Sequence, residues 1–266
     1  MKSILKKIVA AKKAEVEERK SLYPEKLLKR SLFFETKSVS LRQYLLRTDL
    51  HGIIAEFKRK SPSKGMINEF AQVETTTLGY MQAGASALSV LTDNQFFGGS
   101  NEDLSKARKF NFCPILRKDF IIDPYQLIEA KSIGADAILL IAAILKKSEI
   151  ESLGKQALEL GLEVLLELHD VEEIEKIPDF EVIIGVNNRN LKTMTTTIET
   201  ALLMSKKLPV ANLKVAESGI TDASVLCSLK QSGYQGFLIG EQFMKHRRPE
   251  LGCKKMIEAI KQTKPC

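Results

Sequence analysis

Eight apolar runs, amphipathic stretches of helical length between them, and glycines at four helix–strand junctions predict an α/β chain. The fold they specify is a (β/α)8 TIM barrel behind an N-terminal helical extension. A length of 266 residues fits one large domain or two small ones, and 44% apolar content supports a sizeable core. The reading is a single barrel domain over 1–266, with 1–48 as an extension of that domain.

The extension reads as helical. Ile4, Ile8, Val9 and Val16 fall near one face of a 3.6-residue period, with Lys and Glu opposite. The run Lys12-Lys13-Ala14-Glu15-Val16-Glu17-Glu18-Arg19-Lys20 mixes both charge signs and reads as a solvated face. Pro24 marks a break, and Leu41, Tyr44 and Leu45 suggest a second short helix. From His51 the pattern changes. Strands are expected at 53–55, 87–91, 114–116, 137–141, 163–166, 182–186, 213–216 and 236–239. Their continuous apolar character suits strands covered by helices on one side and packed into an interior on the other. Residues 148–160 and 196–207 are examples of the amphipathic stretches between them. Gly84, Gly134, Gly161 and Gly233 each close such a stretch shortly before a strand, where a left-handed residue stops a helix. An open doubly wound sheet is the alternative, but its GxGxxG fingerprint is absent after the first strand.

Composition excludes several classes. No window approaches the ~18 uninterrupted apolar residues of a membrane span. The early charges of Met1-Lys-Ser-Ile-Leu-Lys-Lys do not suit a secretory leader, so a cytoplasmic protein is expected. The net charge of +7 invites a nucleic-acid reading, yet the lysines are interspersed with acidic residues rather than clustered. Such a balance also suits a small anionic substrate. Cys113, Cys227, Cys253 and Cys266 lack CxxC spacing, and His51, His169 and His246 are dispersed, so no metal site is indicated.

In such barrels the chemistry sits at the carboxyl ends of strands and in the loops that follow. Glu56, Lys58, Lys118, Glu167 and Glu217 interrupt or close otherwise apolar runs at those places. Unpaired buried charges are costly, so these five are expected as a mutually compensating set. A carboxylate and an ammonium held away from bulk water can act as base and acid. Ser218-Gly219 and Gly240, after the seventh and eighth strands, suggest a phosphate grip through backbone N–H groups. Asn187 and Arg189 share a parity that lets both face the mouth; Arg189 would steer a carboxylate or pair with a rim Glu. Phe96-Phe97-Gly98-Gly99-Ser100 reads as loop packing or as an aromatic wall. His169 is read as a helix-start neighbour rather than a working group.

The string Ile54-Ala55-Glu56-Phe57-Lys58-Arg59-Lys60-Ser61-Pro62-Ser63 closely resembles the first-strand signature of the indole-3-glycerol phosphate synthases. The blocks Leu91-Thr92-Asp93 with Phe96 to Ser100, Leu116 to Phe120, Leu165 to Asp170, Gly185 to Leu191 and Ala216 to Ile220 resemble that family in order. The resemblance implies a step of tryptophan synthesis that needs no cofactor and no metal. Its substrate would be 1-(2-carboxyphenylamino)-1-deoxyribulose 5-phosphate, a sugar phosphate carrying an anthranilate ring. Its products would be indole-3-glycerol phosphate, carbon dioxide and water. The resemblance makes Lys118 the general acid of ring closure, Glu167 the base of dehydration, and Lys58 the holder of the substrate carboxylate and a candidate proton donor in a later step. Glu56 and Glu217 would position these groups, with Asn187 and Arg189 completing the polar network and Ser61 near the substrate. Phe97, Phe120, Leu139, Leu191 and Leu238 would enclose the ring. Ser218, Gly219, Gly240 and Glu241 would meet the phosphate. Glu241 stands where some members carry Ser: a contact through its backbone N–H would let the side chain turn away, whereas a carboxylate facing inward would repel phosphate.

Two rival readings make different predictions. A phosphoribosylanthranilate isomerase-like barrel would share the phosphate loops but typically works with a Cys and Asp pair, and no Cys ends the first strand. A non-catalytic basic nucleic-acid-binding protein would show steeply salt-dependent affinity. The favoured reading needs neither nucleic acid nor membrane, and is compatible with a monomer.

Overall fold

The structure, a computed structural model, describes residues 4–190, 193 and 195–263. Strands β1 (Ile53–Phe57), β2 (Ala87–Leu91), β3 (Ile115–Lys118) and β4 (Ala137–Ile141) are followed by β5 (Glu163–Leu168), β6 (Ile183–Asn187), β7 (Lys214–Glu217) and β8 (Gly236–Ile239). They pair in sequence order, all parallel, and β8 returns to β1 to close the barrel. Every expected strand is present. The helix-ending glycines Gly84, Gly134, Gly161 and Gly233 all have φ between 74° and 102°.

Helices Val73–Ala83, Asn101–Phe110, Tyr125–Ser132, Lys147–Glu159, Glu199–Ser205, Ala223–Gln231 and Pro249–Gln262 form the outer layer. The connection after β5 departs from the alternation, with only a 3-10 segment at Val171–Lys176. Ile177 precedes Pro178 and is already extended at φ −60° and ψ 125°, because a residue before proline is excluded from the α region. A short antiparallel ribbon, Lys60–Ser61 with Gly65–Met66, follows β1 at the mouth.

Strand alternation divides the core in two. Ile54, Ala87, Leu116, Leu139, Leu165 and Val215 belong to the cluster inside the barrel. Their chain neighbours, among them Ile53, Leu88, Ile115, Leu140 and Leu166, pack in the layer shared with the helices. The inward parity ends in Glu56, Lys118, Glu167, Asn187 and Glu217, which carries polar groups to the carboxyl end of an otherwise apolar bore.

The extension closes both ends of this bore. The first helix (Ile4–Leu22) lies across the carboxyl mouth, where Ile4, Leu5 and Ile8 help wall the central cavity. The short helix Leu41–Leu45 packs at the opposite end, with Leu41 and Leu45 buried in the interior cluster. There Ser40 Oγ and the Arg42 backbone N–H donate to the Glu163 carboxylate at the start of β5, the latter at 2.9 Å. Between them the chain runs along the helix Tyr125–Ser132: Tyr125 donates to the carbonyls of Arg19 and Tyr23, and Lys131 to that of Thr36.

The solvated reading of the first helix needs correction at Lys12, which is 1% exposed. Its ammonium lies 3.1 Å from Asp93, 2.9 Å from Asp119 and 2.8 Å from Glu15. Burial disfavours the charged lysine, but Asp119, Asp93 and Glu15 outweigh it and hold its pKa well above the ordinary value. The helix docks through a charge that local patterning assigns to water.

Candidate active site

At the carboxyl mouth the barrel encloses a cavity of about 650 Å³. Lys118, at the end of β3, donates to Glu167 Oε2 at 2.8 Å and to Glu217 Oε2 at 2.7 Å. Lys58, just past β1, donates to Glu56 Oε1 at 2.6 Å. Five charges on four strands therefore form two adjoining ion-paired groups, as the sequence argument requires. Burial opposes the charged form of Lys118, yet Glu167, Glu217 and Glu56 together hold it well above the usual lysine range. Burial likewise opposes ionisation of Glu167, but Lys118 and His169 overcome it, and the carboxyl falls to about 2. Glu217 has the opposite fate. Burial pushes it up to about 8, since Lys118 only partly offsets desolvation and Glu167 adds repulsion. The two carboxyls that share one ammonium are thus pushed in opposite directions, a division that suits Glu167 to the part of base.

Glycine makes room for these acids. A Cβ at Gly240 would lie 2.3 Å from Glu56 Oε1, and one at Gly185 would lie 2.4 Å from Glu217 Oε1. Gly240 has φ −118°, which any residue adopts, so its requirement is space for Glu56 rather than backbone freedom. Gly240→Ala is expected to displace that carboxylate and lower kcat/KM by about tenfold or more, because small misplacements at a site are costly. Steady-state kinetics on folded protein check this; an unchanged kcat/KM would show that Glu56 can move without consequence.

After β7 the backbone turns through two left-handed residues, Ser218 at φ 66° and Gly219 at φ 75°. Ser218 is the one described non-glycine residue with positive φ, and such strain gathers at functional turns. The buried Asn188 holds it, donating to the Ser218 carbonyl at 3.0 Å while its own carbonyl accepts from Ala201 N–H. Turns of this kind collect N–H groups for an anion. Asn188 escaped the sequence reading because its parity points away from the mouth.

On the other wall Phe97 and Phe120 pack with ring centroids 5.8 Å apart and planes inclined by 35°. Asp93 accepts the backbone N–H of Phe96 and Phe97, and Asp119 accepts that of Phe120. Both carboxylates are partners of Lys12, so the N-terminal helix braces the aromatic wall. Leu139 and Leu238 line the same cavity. Leu191 lies outside the described residues.

The remaining polar residues are placed as follows. Asn187 lines the cavity and accepts the Arg189 N–H at 3.0 Å. Arg189 donates to Ser63 Oγ at 2.7 Å and to Glu241 Oε2 at 3.3 Å, the rim-pairing alternative. Glu241 does line the cavity, but Arg189 and Lys64 (3.7 Å) face its carboxylate. Ser61 is not on the cavity wall: it is buried in the ribbon, its hydroxyl accepting from Lys64 N–H, and Ser63 takes the wall position. His169 departs from the sequence reading, because it faces the cavity with Nε2 3.2 Å from Glu167 Oε1. Extended backbone continues past Leu168 before Asp170 caps the 3-10 turn, so residue 169 keeps the inward parity of 167.

Among the described residues no helix is long and apolar enough to cross a membrane, and no group of three or more His, Cys, Asp or Glu is placed to hold a metal ion.

Comparison with known proteins bears on this geometry. A family model described as indole-3-glycerol phosphate synthase matches residues 5–256. An indole-3-glycerol phosphate synthase of Bacteroides thetaiotaomicron is 48% identical over 98% of this chain and 100% of its own length. That of Bordetella pertussis is 38% identical over 97% of this chain and 100% of its own. Among solved structures, a mutant tryptophan synthase alpha-subunit from Pyrococcus furiosus superposes with a TM-score of 0.61. At 17% identity, over 82% of this chain and all of that one, it attests the fold alone.

Proposed function

Because the chain belongs to the indole-3-glycerol phosphate synthase family, we propose that the Lys118–Glu167–Glu217 cluster carries out that family's reaction. The activity is indole-3-glycerol phosphate synthesis, a carboxy-lyase step of tryptophan biosynthesis acting on a small phosphorylated substrate. The observation that supports the residue assignment is one ammonium held between two carboxylates, 2.8 and 2.7 Å away, at the head of the cavity.

The substrate, 1-(2-carboxyphenylamino)-1-deoxyribulose 5-phosphate, lies with its ring against Phe97, Phe120, Leu139 and Leu238. Its phosphate meets the turn of Ser218 and Gly219 and the backbone at Gly240, next to Glu241. Lys58 faces the carboxylate, with Glu56 fixing the lysine. As the ring carbon attacks the ketone, Lys118 gives a proton to the developing alkoxide. The carboxylate then leaves as carbon dioxide, and its bonding electrons restore the ring. Glu167 takes one proton from the methylene carbon while the hydroxyl departs as water. That water carries two protons, one matched by the methylene proton and one drawn from solvent, which balances the loss of the carboxylate. Asn187 and Arg189 complete the polar surround, with Ser63 on the wall where Ser61 was expected. We read the protein as cytoplasmic, compatible with a monomer, and acting without nucleic acid, membrane or metal.

The test is to mix purified protein with the substrate in EDTA and follow absorbance or fluorescence of the indole. Indole formation is expected. A flat trace from folded protein overturns the assignment, and isomer formation without carbon dioxide release would instead favour the isomerase-like barrel. Glu167→Gln is expected to slow dehydration by about 10²- to 10⁴-fold, so that the condensed intermediate accumulates in single-turnover traces. An unchanged rate at both steps removes Glu167 as the base.

A further inference from the structure

Glu167 is held asymmetrically. Lys118 donates to Oε2, while Oε1 receives no donor from the lysine. Beside that second oxygen stands His169, with its Nε2 3.2 Å away. The imidazole is 9% exposed, and neither ring nitrogen has a hydrogen-bond partner. Two buried, unpartnered nitrogens are unusual in a folded interior, and each such group calls for an explanation. Structural packing offers none, since an apolar side chain would fill the space without stranding polar atoms. The ring also borders the cavity beside Glu167, so it belongs to the site rather than to the layer behind the barrel wall.

We infer that His169 is a positioning residue for Glu167, its Nε2–H donating to Oε1 in the substrate complex so that both oxygens of the base are fixed. The inference rests on the reading of Glu167 as the base. The open geometry agrees with this, because catalytic hydrogen bonds are commonly long or misaligned in an empty site and tighten when substrate binds. The backbone supplies the means of holding the ring. The His169 N–H donates to Glu173 Oε2 at 2.7 Å, and the same oxygen lies 4.0 Å from Nδ1. Glu173 sits in the 3-10 turn that replaces a full helix after β5, so that irregular connection anchors the residue. The charged groups sharing the surround are Glu167 and Glu173 beside the ring, Lys118 from β3, Glu217 from β7, and Arg189 after β6.

The role separates from mere space-filling in the kinetics of two variants of the full chain. His169→Phe keeps the ring but has no donor; His169→Gln places an amide N–H near the position of Nε2. With carboxyphenylamino-deoxyribulose phosphate as substrate, His169→Phe is expected to lower kcat by about 10- to 100-fold, the scale of a misplaced catalytic group, with KM within about twofold. His169→Gln is expected to recover most of that loss. The acid limb of the kcat profile should move to higher pH in His169→Phe, because the histidine helps keep Glu167 ionised. A kcat for His169→Phe within about twofold of wild type, or a His169→Gln variant no better than His169→Phe, overturns the inference. Wild-type protein that forms no indole would overturn the functional reading itself. Wild-type activity with an indifferent His169 overturns this inference alone.

Discussion

Replacing Lys118 by alanine is expected to abolish indole formation, lowering kcat by about 10³-fold or more. The substitution removes the only side chain that touches both Glu167 and Glu217 in the described ion pairs. It deletes the proton donor for ring closure and also the charge that keeps Glu167 ionised. Without it Glu167 is a buried carboxylate lacking its ammonium, and it will take up a proton rather than remain charged. The base is therefore lost with the acid. The fold should persist, because the apolar bore beneath the cluster is untouched and burial, which already raises the Glu217 pKa, favours proton uptake by carboxyls left without the lysine. Single-turnover fluorescence, with circular dichroism as the control for folding, checks this. Near-normal kcat in Lys118→Ala would overturn the assignment.

Lys12→Ala is expected to produce the largest loss of stability, about 3–5 kcal/mol, the cost of breaking a buried ion pair from one side. Asp93 and Asp119 would keep their burial and lose their ammonium. The pH dependence follows from Asp119. Burial alone would raise its pKa, but Lys12, Arg117 and Thr92 together hold it far below the ordinary value. A depressed carboxylate contributes stability that is complete above its unfolded pKa of about 3.9 and is lost as pH falls below it. The gap in stability between wild type and Lys12→Ala should therefore be widest near neutrality and narrow as the solution is taken below about pH 4. Denaturant unfolding at several pH values measures this. A constant gap would mean that the pair contributes through packing alone. Substrate binding should weaken as well, since the two aspartates hold the backbone of Phe97 and Phe120.

The barrel was legible because its signals are local and repeated. Continuous apolar strands and glycines such as Gly134 and Gly161, at φ 92° and 74°, declare themselves within a few residues. The charged cluster was legible for a different reason: Lys118 or Glu167 inside an apolar run is expensive and demands partners that only the barrel mouth can supply. Lys12 was misread because its partners are remote in sequence, while its immediate neighbours are those of a surface helix. His169 was misplaced by one structural unit. Strand parity carries on to residue 169 because the 3-10 turn begins only after it, and no local residue fixes that boundary until Asp170 caps the turn. Glu241 was flagged as a repulsive neighbour of phosphate, and the sequence offered no means of seeing that Arg189 and Lys64 would meet it.

The strap formed by the extension also bears on the order in which the molecule assembles. Arg19 and Glu129, joined by an ion pair, are 110 residues apart in the chain. Lys12 likewise waits for the loops after β2 and β3 before its charge has anywhere to go. On a growing polypeptide the first helix is made early, yet its anchors do not exist until about half the protein has been synthesised. Contacts of such long separation form late, after the entropy of closing the intervening loop has been met. In the interval the charges of the helix keep it compatible with water, and its alternating signs act as a disguise. The first segment made is thus among the last to lock, and it does so over a mouth whose walls are already standing.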